Sequence, residues 1–465
     1  MTVEAELPSV AELGESAEVR GWRRYPAYKD SGVPWLGEVP AHWDVKRLRF
    51  LAEVRTGVTK GRDLGEKDTV SVPYMRVANV QDGYLDLSDV AQVEVLPDEV
   101  RRFSLRPGDV LMNEGGDNDK LGRGTVWEGQ IDPCLHQNHV FAVRLDDADD
   151  ARWISAATSA TYARHYFMVR AKQSTNLASI SGTNVKEFPV VLPPKAERRA
   201  ILRHLAHETA RIDALVEKKR RLLGLIEEKR AALISHAVTR GLDASVPMKD
   251  SGVEWLGQVP AHWEVKRLRF LVPEVTVGIV VTPARYYVDE GVPALRSLNV
   301  RDGRLRDSDL VYMSPESNEI HRKSRLSVGD LVCVRSGQPG ATAVVDERFD
   351  GANCIDLIIV RQSKRIVSEF LAYVANSSMA KVQFEHGSDG ALQQHFNVET
   401  AKSLLVTVPP VAEQKAIVEY VAHETTRLDE LAGRVRRHVE LLGEYRTALI
   451  SAAVTGKIDV REATR

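Results

Sequence analysis

The sequence has little cysteine and no long apolar run. Its three cysteines, Cys134, Cys333 and Cys354, are too few and too scattered for a disulfide framework or a paired-cysteine zinc site, so we expect them to be buried. No run approaches the roughly 18 apolar residues that a membrane-spanning helix needs. The acidic start, MTVEAE, lacks the apolar core of a signal peptide. These absences predict a cytoplasmic protein.

An excess of positive charge is also missing. The chain has 63 basic and 65 acidic residues and a net charge of -2. This balance excludes a protein that binds nucleic acid through its overall charge. Any nucleic-acid partner must therefore be recognised by local surfaces.

The common catalytic motifs are absent too. The sequence contains no GxxxxGK phosphate loop followed by Ser or Thr, no Asn-Pro-Pro-Tyr or Asp-Pro-Pro-Tyr motif of amino-methylation, no HExxH and no GxSxG. Glu217 and Lys219 form a nuclease-like Glu-x-Lys, but a lysine-rich helix produces that pattern by chance. We therefore predict no catalytic residues and a protein that is not itself an enzyme.

One stretch, CLHQNH at residues 134–139, has the ligand types of a zinc site. The corresponding stretch of the second half, NCIDL from residue 353, contains no histidine, and no fourth ligand recurs nearby. We therefore expect no metal. His42 and His262 each precede a tryptophan and are interpreted as packing residues repeated by duplication.

What the chain does contain is an internal repeat. Residues 29–51 read KDSGVPWLGEVPAHWDVKRLRFL, and residues 249–271 read KDSGVEWLGQVPAHWEVKRLRFL. A second match joins residues 193–243 with residues 409–459. At 465 residues the chain is also long enough for at least two domains. Each half therefore opens with one shared segment and closes with another.

Between the shared segments lie two regions that have diverged, which we call head 1 (residues 53–187) and head 2 (residues 273–403). The skeleton that recurs comprises Pro73, Arg76, Asn79, Asp82, Gly83, Gly108 and Asp109 in head 1, and Pro293, Arg296, Asn299, Asp302, Gly303, Gly329 and Asp330 in head 2. Segments kept alike within one chain are expected to meet two copies of one partner. Diverged segments are expected to meet two different targets.

Each head is predicted to be a mixture of short strands and helices. In head 1, strands are expected at 70–80, 109–112 and 140–145, the last with alternating polarity, and a helix at 153–170. Head 1 has more acidic than basic residues, which disfavours DNA binding on composition alone. We attribute this to a solvated acidic loop at 146–150.

Residues 197–240 contain no proline and predict one long helix. Apolar residues recur in this helix and in its downstream counterpart at spacings of three and four, as in a coiled-coil seam. The predicted seam comprises Ile201, Leu205, Ile212, Leu215, Leu222, Ile226, Leu233 and Ala237 in the first helix, and Ile417, Val421, Leu428, Leu431, Leu442, Leu449 and Ala453 in the second. His438 interrupts the second seam and is interpreted as water-facing. We expect the helices to pack antiparallel with a head at each end; the alternative is that each helix covers its own half.

Polar, glycine-rich turns recur at matching places in the heads. One pair is NEGGDNDKLGRG from residue 113 and RSGQPGATA from residue 335, and the other is KQSTNLASISGTN from residue 172 and GSDGALQQHFN from residue 387. Arg, Asn and Gln side chains suit base edges in DNA, although each turn alone is equally typical of a protein surface. The candidate base-contacting residues are Arg76, Asn79, Arg123, Lys172, Gln173 and Asn176 in head 1, and Arg296, Asn299, Arg335, Gln338, Gln393 and Gln394 in head 2.

These segments resemble the specificity subunit of a type I DNA restriction-modification system. The resemblance rests on KDSGVPWLGEVPAHWDVKRL and its repeat, on LPPKAERRAI and VPPVAEQKAI before the long helices, and on GGDNDKLGRG and LHQNHVFAVR in head 1. It spans nearly the whole chain; the acidic stretch before Gly21 is extra.

The resemblance implies an α+β fold: two α/β target recognition domains separated by two long antiparallel coiled-coil helices in a pseudo-twofold repeat. The implied divisions are an N-terminal extension (1–28), a first target recognition domain (29–191), a first long helix (192–243), a second target recognition domain (244–408), and a second long helix with its tail (409–465).

The resemblance also implies a non-catalytic subunit that binds a bipartite double-stranded DNA target and directs adenine methylation and restriction. The implied partners are two modification subunits and ATP-dependent restriction subunits. S-adenosylmethionine, ATP and Mg would act in those partners, with no cofactor in this chain. The alternative is a tandem recognition or adaptor module of another antiphage complex, without site-specific methylation. Sequence-specific retention of DNA distinguishes the two.

Overall fold

The computed structural model describes residues 22–65, 67–116, 121–173, 178–301, 303–337, 339–386 and 396–461. The chain divides into two compact units. Unit 1 combines residues 1–220 with residues 436–465, and unit 2 comprises residues 221–435. Each unit therefore contains one head and part of each long helix.

The helices are two long ones and eight short ones in the described part of the chain. They are α1 Pro97–Phe103, α2 Ala148–Thr158, α3 Thr161–Arg170, α4 Gly182–Lys186, α5 Lys195–Arg240, α6 Pro315–Ile320, α7 Ser368–Asn376, α8 Ser378–His386, α9 Val398–Ser403 and α10 Val411–Val454. The long helix predicted from residue 197 is confirmed as α5. The helix predicted at 153–170 is wrong as one element, because the extended backbone of Ala160 separates α2 from α3. None of the described helices is long and apolar enough to cross a bilayer.

Unit 1 is built around a four-stranded sheet of order β4-β11-β7-β9, with smaller sheets β10-β5-β6, β12-β13-β8, β1-β2 and β14-β3 beside it. The strands are β1 Tyr28–Asp30, β2 Glu38–Pro40, β3 Asp44–Arg47, β4 Glu53–Thr56, β5 Val70–Met75, β6 Ala91–Val95, β7 Val110–Asn113, β8 Gly115–Gly116, β9 Gly124–Val126, β10 Leu135–His136, β11 Val140–Arg144, β12 Lys172–Gln173, β13 Ala178–Ser179 and β14 Pro189–Leu192. The alternation predicted for 140–145 is wrong, because β11 lies in the interior of its sheet and its first four residues are all buried.

Unit 2 repeats the four-stranded sheet in the order β18-β27-β24-β25. Its other sheets are β19-β23-β20-β26, β21-β22, β15-β16 and β17-β28. The strands are β15 Met248–Asp250, β16 Gln258–Pro260, β17 Glu264–Arg267, β18 Val275–Val277, β19 Tyr287–Val288, β20 Val292–Leu295, β21 Val300–Arg301, β22 Arg304–Leu305, β23 Val311–Met313, β24 Leu331–Val334, β25 Thr342–Val344, β26 Asn353–Cys354, β27 Leu357–Val360 and β28 Leu405–Val408. Each head therefore has its own four-stranded central sheet, with the same strand arrangement as the other.

A repeated clamp holds the first shared segment to the start of a long helix. In unit 1, Glu197 accepts a hydrogen bond from the indole of Trp43 at 3.2 Å and lies 2.9 Å from Nε2 of His42. In unit 2, Glu413 makes the same contacts with Trp263 at 3.1 Å and His262 at 2.8 Å. The two histidines thus do more than pack: they pair with a carboxylate in the first turn of each long helix, where negative charge is favourable.

The long helices run antiparallel in each unit. In unit 1, Asp213 pairs with Arg446 at 3.1 Å, and Lys219 lies 3.2 Å from His438. Residues with higher numbers on α5 thus contact residues with lower numbers on α10. The antiparallel packing predicted from the repeat is therefore confirmed.

The same direction holds in unit 2. Ile226 packs with Leu428 and Ala432, while Ile234 and Val238 belong to a core cluster with Ile417 and Val421. The helices thus contact each other in both units.

The seam runs through partly different residues from those predicted. Most predicted positions are buried or half-buried, but Leu215 and Leu222 are 44% and 39% exposed. Val216 and Leu223 lie in the seam instead. Because each pair of neighbours is apolar, either member satisfies the spacing, and the sequence alone did not choose between them. His438 is exposed, as predicted, and stands beside the seam.

The acidic run at 146–150 was predicted to be a solvated loop, and that interpretation is wrong. Asp149 pairs with Arg199 at 2.5 Å and Asp150 with Arg198 at 2.7 Å. Asp147 also caps α2 by accepting from the backbone N–H of Asp149. The acidic charge of head 1 is therefore partly neutralised by the start of α5.

Candidate nucleic-acid interface

One strand pair occupies the same place in the central sheet of each head. In head 1, Asn113 at the end of β7 pairs with Val140 at the start of β11. In head 2, Val334 at the end of β24 pairs with Leu357 at the start of β27. The residues just beyond these pairs are therefore structurally equivalent in the two heads.

In head 1, both predicted polar turns meet at this point. The carbonyl of Glu114 accepts a hydrogen bond from the N–H of Ile180 at 2.8 Å. Strand β8, in the first turn, also pairs with β13, in the second. The described parts of two turns with 47 residues of sequence between them thus meet at one place.

The polar turns of head 2 meet at the equivalent point. The carbonyl of Arg335 accepts a hydrogen bond from the N–H of Phe396 at 3.2 Å. Phe396 directly follows residues 387–395, which lie outside the described set. We call the meeting points around Glu114 and Arg335 face 1 and face 2.

Each face carries a polar side-chain pair, and the order of acidic and basic residue types is exchanged between the faces. On face 1, Oε2 of Glu114 lies 2.6 Å from Nδ1 of His139. On face 2, Nη1 of Arg335 lies 2.5 Å from Oδ1 of Asp356. The strand-end residue is therefore acidic in head 1 and basic in head 2, and the residue opposite is reversed as well.

The other end of the same strand pair is alike in both heads. Asp109 receives two hydrogen bonds from Arg144, at 2.7 and 2.6 Å. Asp330 likewise pairs with Arg361 at 2.6 Å. This end is buried and has the same residue types in both heads, whereas the more accessible faces have exchanged residue types.

Four predicted DNA contacts have structural roles. Oδ1 of Asn79 accepts from the backbone N–H of Arg76, and its Nδ2 donates to the carbonyls of residues 86 and 89. Asn299 repeats this with Arg296. Both amides are buried, 3% and 0% exposed, and both guanidinium groups bond a carbonyl of the same loop. These hydrogen bonds give the four residues a structural role in their loops, and their contact with DNA stays a prediction.

Of the remaining predicted contacts, Arg123, Lys172 and Arg335 are among the described residues and lie near the faces. Lys172 is exposed on β12, which joins face 1 through β13. Arg123 lies half-buried, and its carbonyl accepts from the N–H of Asn113 at 3.2 Å. The side chain of Gln173 and the whole of Asn176, Gln338, Gln393 and Gln394 lie outside the described residues.

The ligand types at residues 134–139 do not converge on a metal site. Cys134 is buried, which raises the pKa of its thiol to about 12. His136 is buried and bonds the carbonyl of Val140 at 2.7 Å, while His139 faces Glu114. No cluster of three potential ligands occurs among the described residues. Cys333 and Cys354 are buried, as predicted.

Sequence reasoning missed Glu114, His139 and Asp356. Each occurs in a string that the sequence singled out, but the polar loops drew attention to amide and basic side chains. The sequence did indicate them by position, because each of these residues directly follows or precedes a strand that has an equivalent in the other half. Pairing the strands of the two heads would have found them.

Comparison with known proteins gives a consistent picture. No protein-family model matches the chain. It is 22% identical over 444 residues to the type I restriction enzyme MjaX specificity subunit of Methanocaldococcus jannaschii, covering 92% of this chain and 96% of that one. It is 27% identical over 214 residues to the EcoKI specificity subunit of Escherichia coli, covering 43% of this chain and 44% of that one. These relatives confirm the resemblance drawn from the repeats.

One solved structure agrees with the fold. It is a chain from a type I R-M system, solved to explain complex assembly and conformational transition. The TM-score is 0.67 at 15% sequence identity, over 90% of this chain and 99% of that one. At this identity the likeness concerns the fold alone, and it confirms the predicted fold class.

Proposed function

We propose that this chain, which resembles the specificity subunits of type I restriction-modification systems, reads a bipartite double-stranded DNA sequence, with one half-site at each head. One observation carries this proposal. In each head, two polar turns meet at the same end of the central strand pair, and the side chains at this place differ between the two heads. A polar, accessible surface with hydrogen-bonding side chains is what base readout requires. Two unlike faces suit two unlike half-sites.

In this proposal the chain binds and positions but does not catalyse. Adenine methylation and restriction belong to partner subunits that bring S-adenosylmethionine, ATP and Mg. Two copies of the modification subunit are expected, because the shared segments occur twice with almost the same sequence.

The surface that best fits these two copies lies just after the shared strand β3 or β17. Phe50 and Phe270 are 68% and 56% exposed, which is unusual for a large apolar side chain. A guanidinium covers each ring, with Arg49 4.8 Å and Arg269 4.9 Å from the ring centroids. Aromatic and Arg side chains are enriched at protein interfaces. We assign these two sites to the two copies of one partner.

The paired helices are proposed to set the spacing between half-sites. Helices of 46 and 44 residues measure roughly 69 and 66 Å at about 1.5 Å per residue. Half-sites one turn of B-DNA apart are separated by about 34 to 36 Å. Leu215 and Leu222, exposed on α5, remain apolar positions available to a partner.

The test is to express the chain with its modification subunits and map methylated adenines across genomic DNA. We expect one bipartite motif, absent when this chain is omitted. Purified complex should retain duplexes with that motif in preference to duplexes with either half-site scrambled. A complex that assembles with the chain but shows no sequence preference would favour the adaptor function instead.

A further inference from the structure

We propose that Glu114 and Arg335 are equivalent base-reading residues with opposite hydrogen-bonding preference. Glu114, held by His139, would read an exocyclic amino group, as on cytosine. Arg335, held by Asp356, would read guanine. This inference rests on the proposed function and assigns the chemistry of its two faces.

The equivalence follows from strand register. Glu114 comes one residue after Asn113, and Arg335 one residue after Val334. Asn113 and Val334 are the last paired residues of β7 and β24. Glu114 and Arg335 thus occupy the same register position, one residue beyond equivalent strand ends in the two central sheets.

The opposite end of these strands provides an internal comparison. There the aspartate and arginine keep their places in both heads, and the aspartates are 1% and 4% exposed at the side chain. The buried pair is thus the same in both heads, while at the accessible end the strand-end residue changes from glutamate to arginine. Glu114 and Arg335 thus differ in hydrogen-bonding chemistry at equivalent accessible positions, as two different base edges would require.

The chemistry of the two residues matches two kinds of base edge. A carboxylate only accepts hydrogen bonds, and it suits the amino donor of cytosine in the major groove. A guanidinium only donates, and it suits the N7 and O6 acceptors of guanine. Each reader therefore rejects the base that the other prefers.

The partner of each reader orients it and balances its charge. The Glu114 and Arg335 side chains are 26% and 25% exposed, while those of His139 and Asp356 are 55% and 48% exposed. His139 also fixes the position of the Glu114 carboxylate through the 2.6 Å contact of its Nδ1. Asp356 adopts a left-handed backbone with φ of 52°, a conformation that is uncommon outside glycine and often occurs at functional sites.

The experiment exchanges the pairs in the complete complex with modification subunits. Glu114→Arg with His139→Asp places the pair of face 2 on face 1. We expect methylation mapping to show one changed position in one half-site, with guanine newly preferred. The other half-site and the spacing should stay the same. The reciprocal exchange, Arg335→Glu with Asp356→His, should change one position of the other half-site.

A matched control reverses a different ion pair of head 1. Arg152 and Glu128 are more than half exposed and 3.5 Å apart. Arg152→Glu with Glu128→Arg alters charge by the same kind of exchange and should leave the motif unchanged. A motif change in this control as large as in the face 1 exchange would overturn the assignment to Glu114.

The outcomes separate this inference from the function on which it rests. If the wild-type complex reads a bipartite motif and both exchanges leave it unchanged, the inference is wrong and the function stands. If the wild-type complex reads no motif, the function itself is wrong. Should an exchanged complex fail to methylate, Glu114→Gln and Arg335→Lys are tested by competition binding. Each should lose discrimination at one position by roughly 5- to 150-fold, and unchanged discrimination would overturn the inference.

Discussion

Asp109 and Arg144 form a bidentate ion pair at the buried end of the β7–β11 strand pair, opposite face 1. Its N–O distances are 2.7 and 2.6 Å, and the carboxylate side chain is 1% exposed. The contact raises the pKa of the Arg144 guanidinium above its usual value. A paired charge at this depth stabilises the fold only as long as both partners remain.

The first prediction concerns Asp109→Asn. The substitution leaves the guanidinium of Arg144 largely buried without a counter-charge, so the free energy of unfolding should fall by about 3 kcal/mol or more. Denaturant unfolding of the full chain measures this. Asp98→Asn, an exposed change in α1, is the control and should stay within about 0.5 kcal/mol. Equal midpoints for the two variants would contradict the role given to the pair.

The second prediction concerns pH and His136. Burial lowers the pKa of His136 to about 4, from the 6.5 that is usual for a histidine in water. Between these values the unfolded chain binds a proton that the folded chain does not. Stability should therefore be complete above pH 6.5 and fall by about 3 kcal/mol as the pH drops toward 4.

His136→Asn removes this titration and should flatten the pH dependence of unfolding over that window. The matched control is His207→Asn, since the His207 side chain is 71% exposed and its loss should leave the slope unchanged. Midpoints are compared at pH 7 and pH 5. If wild type and the His136 variant lose the same stability between pH 7 and pH 5, a group other than His136 causes the loss.

The third prediction concerns the exposed aromatic sites. Phe50→Ser and Phe270→Ser should each weaken assembly with one modification subunit. Burying a phenylalanine contributes about 1.5 to 3 kcal/mol, so the dissociation constant should rise by roughly 10- to 150-fold. Light scattering of the complex should show the loss of one partner in each single variant and of both in the double variant.

The control for this surface is Tyr84→Ser in head 1, because Tyr84 is 61% exposed but lies outside the shared segments. It should leave the mass of the complex unchanged. Full assembly of the double Phe50 and Phe270 variant would place the partner surface elsewhere on the chain.

The repeats predicted the architecture because duplication preserves the residues that hold a fold together. His42 and His262 keep the same contacts, since each meets a carboxylate at the start of a long helix. The seam was predicted less accurately. Leu215 and Val216 are both apolar neighbours, so periodicity alone did not show which one turns inward.

The site was harder to predict than the fold. Arg76 and Asn79 lie in a polar turn, as a DNA contact would, yet their hydrogen bonds close that turn on itself. Glu114 and His139 become neighbours through pairing between β7 and β11, a relationship that residue type does not reveal. Sequence patterns identify which loops are polar, whereas strand register determines which side chains meet.

The last prediction tests the proposal that the paired helices set the spacing of the half-sites. Lys219 and His438 lie opposite each other, 3.2 Å apart, so insertions after both residues lengthen the two helices at one level. Seven added residues in each helix preserve the seam and extend it by about 10.5 Å. At about 3.4 Å per base pair, the gap between half-sites should grow by about three base pairs.

Both half-site sequences should stay the same in this variant, because the faces are untouched. Four added residues extend the helices by only about 6 Å, and they shift the seam as a stutter does. That variant should add one or two base pairs with weaker methylation. Methylation mapping with the modification subunits reads both results. If the seven-residue variant remains active and its gap is unchanged, the helices do not measure the target.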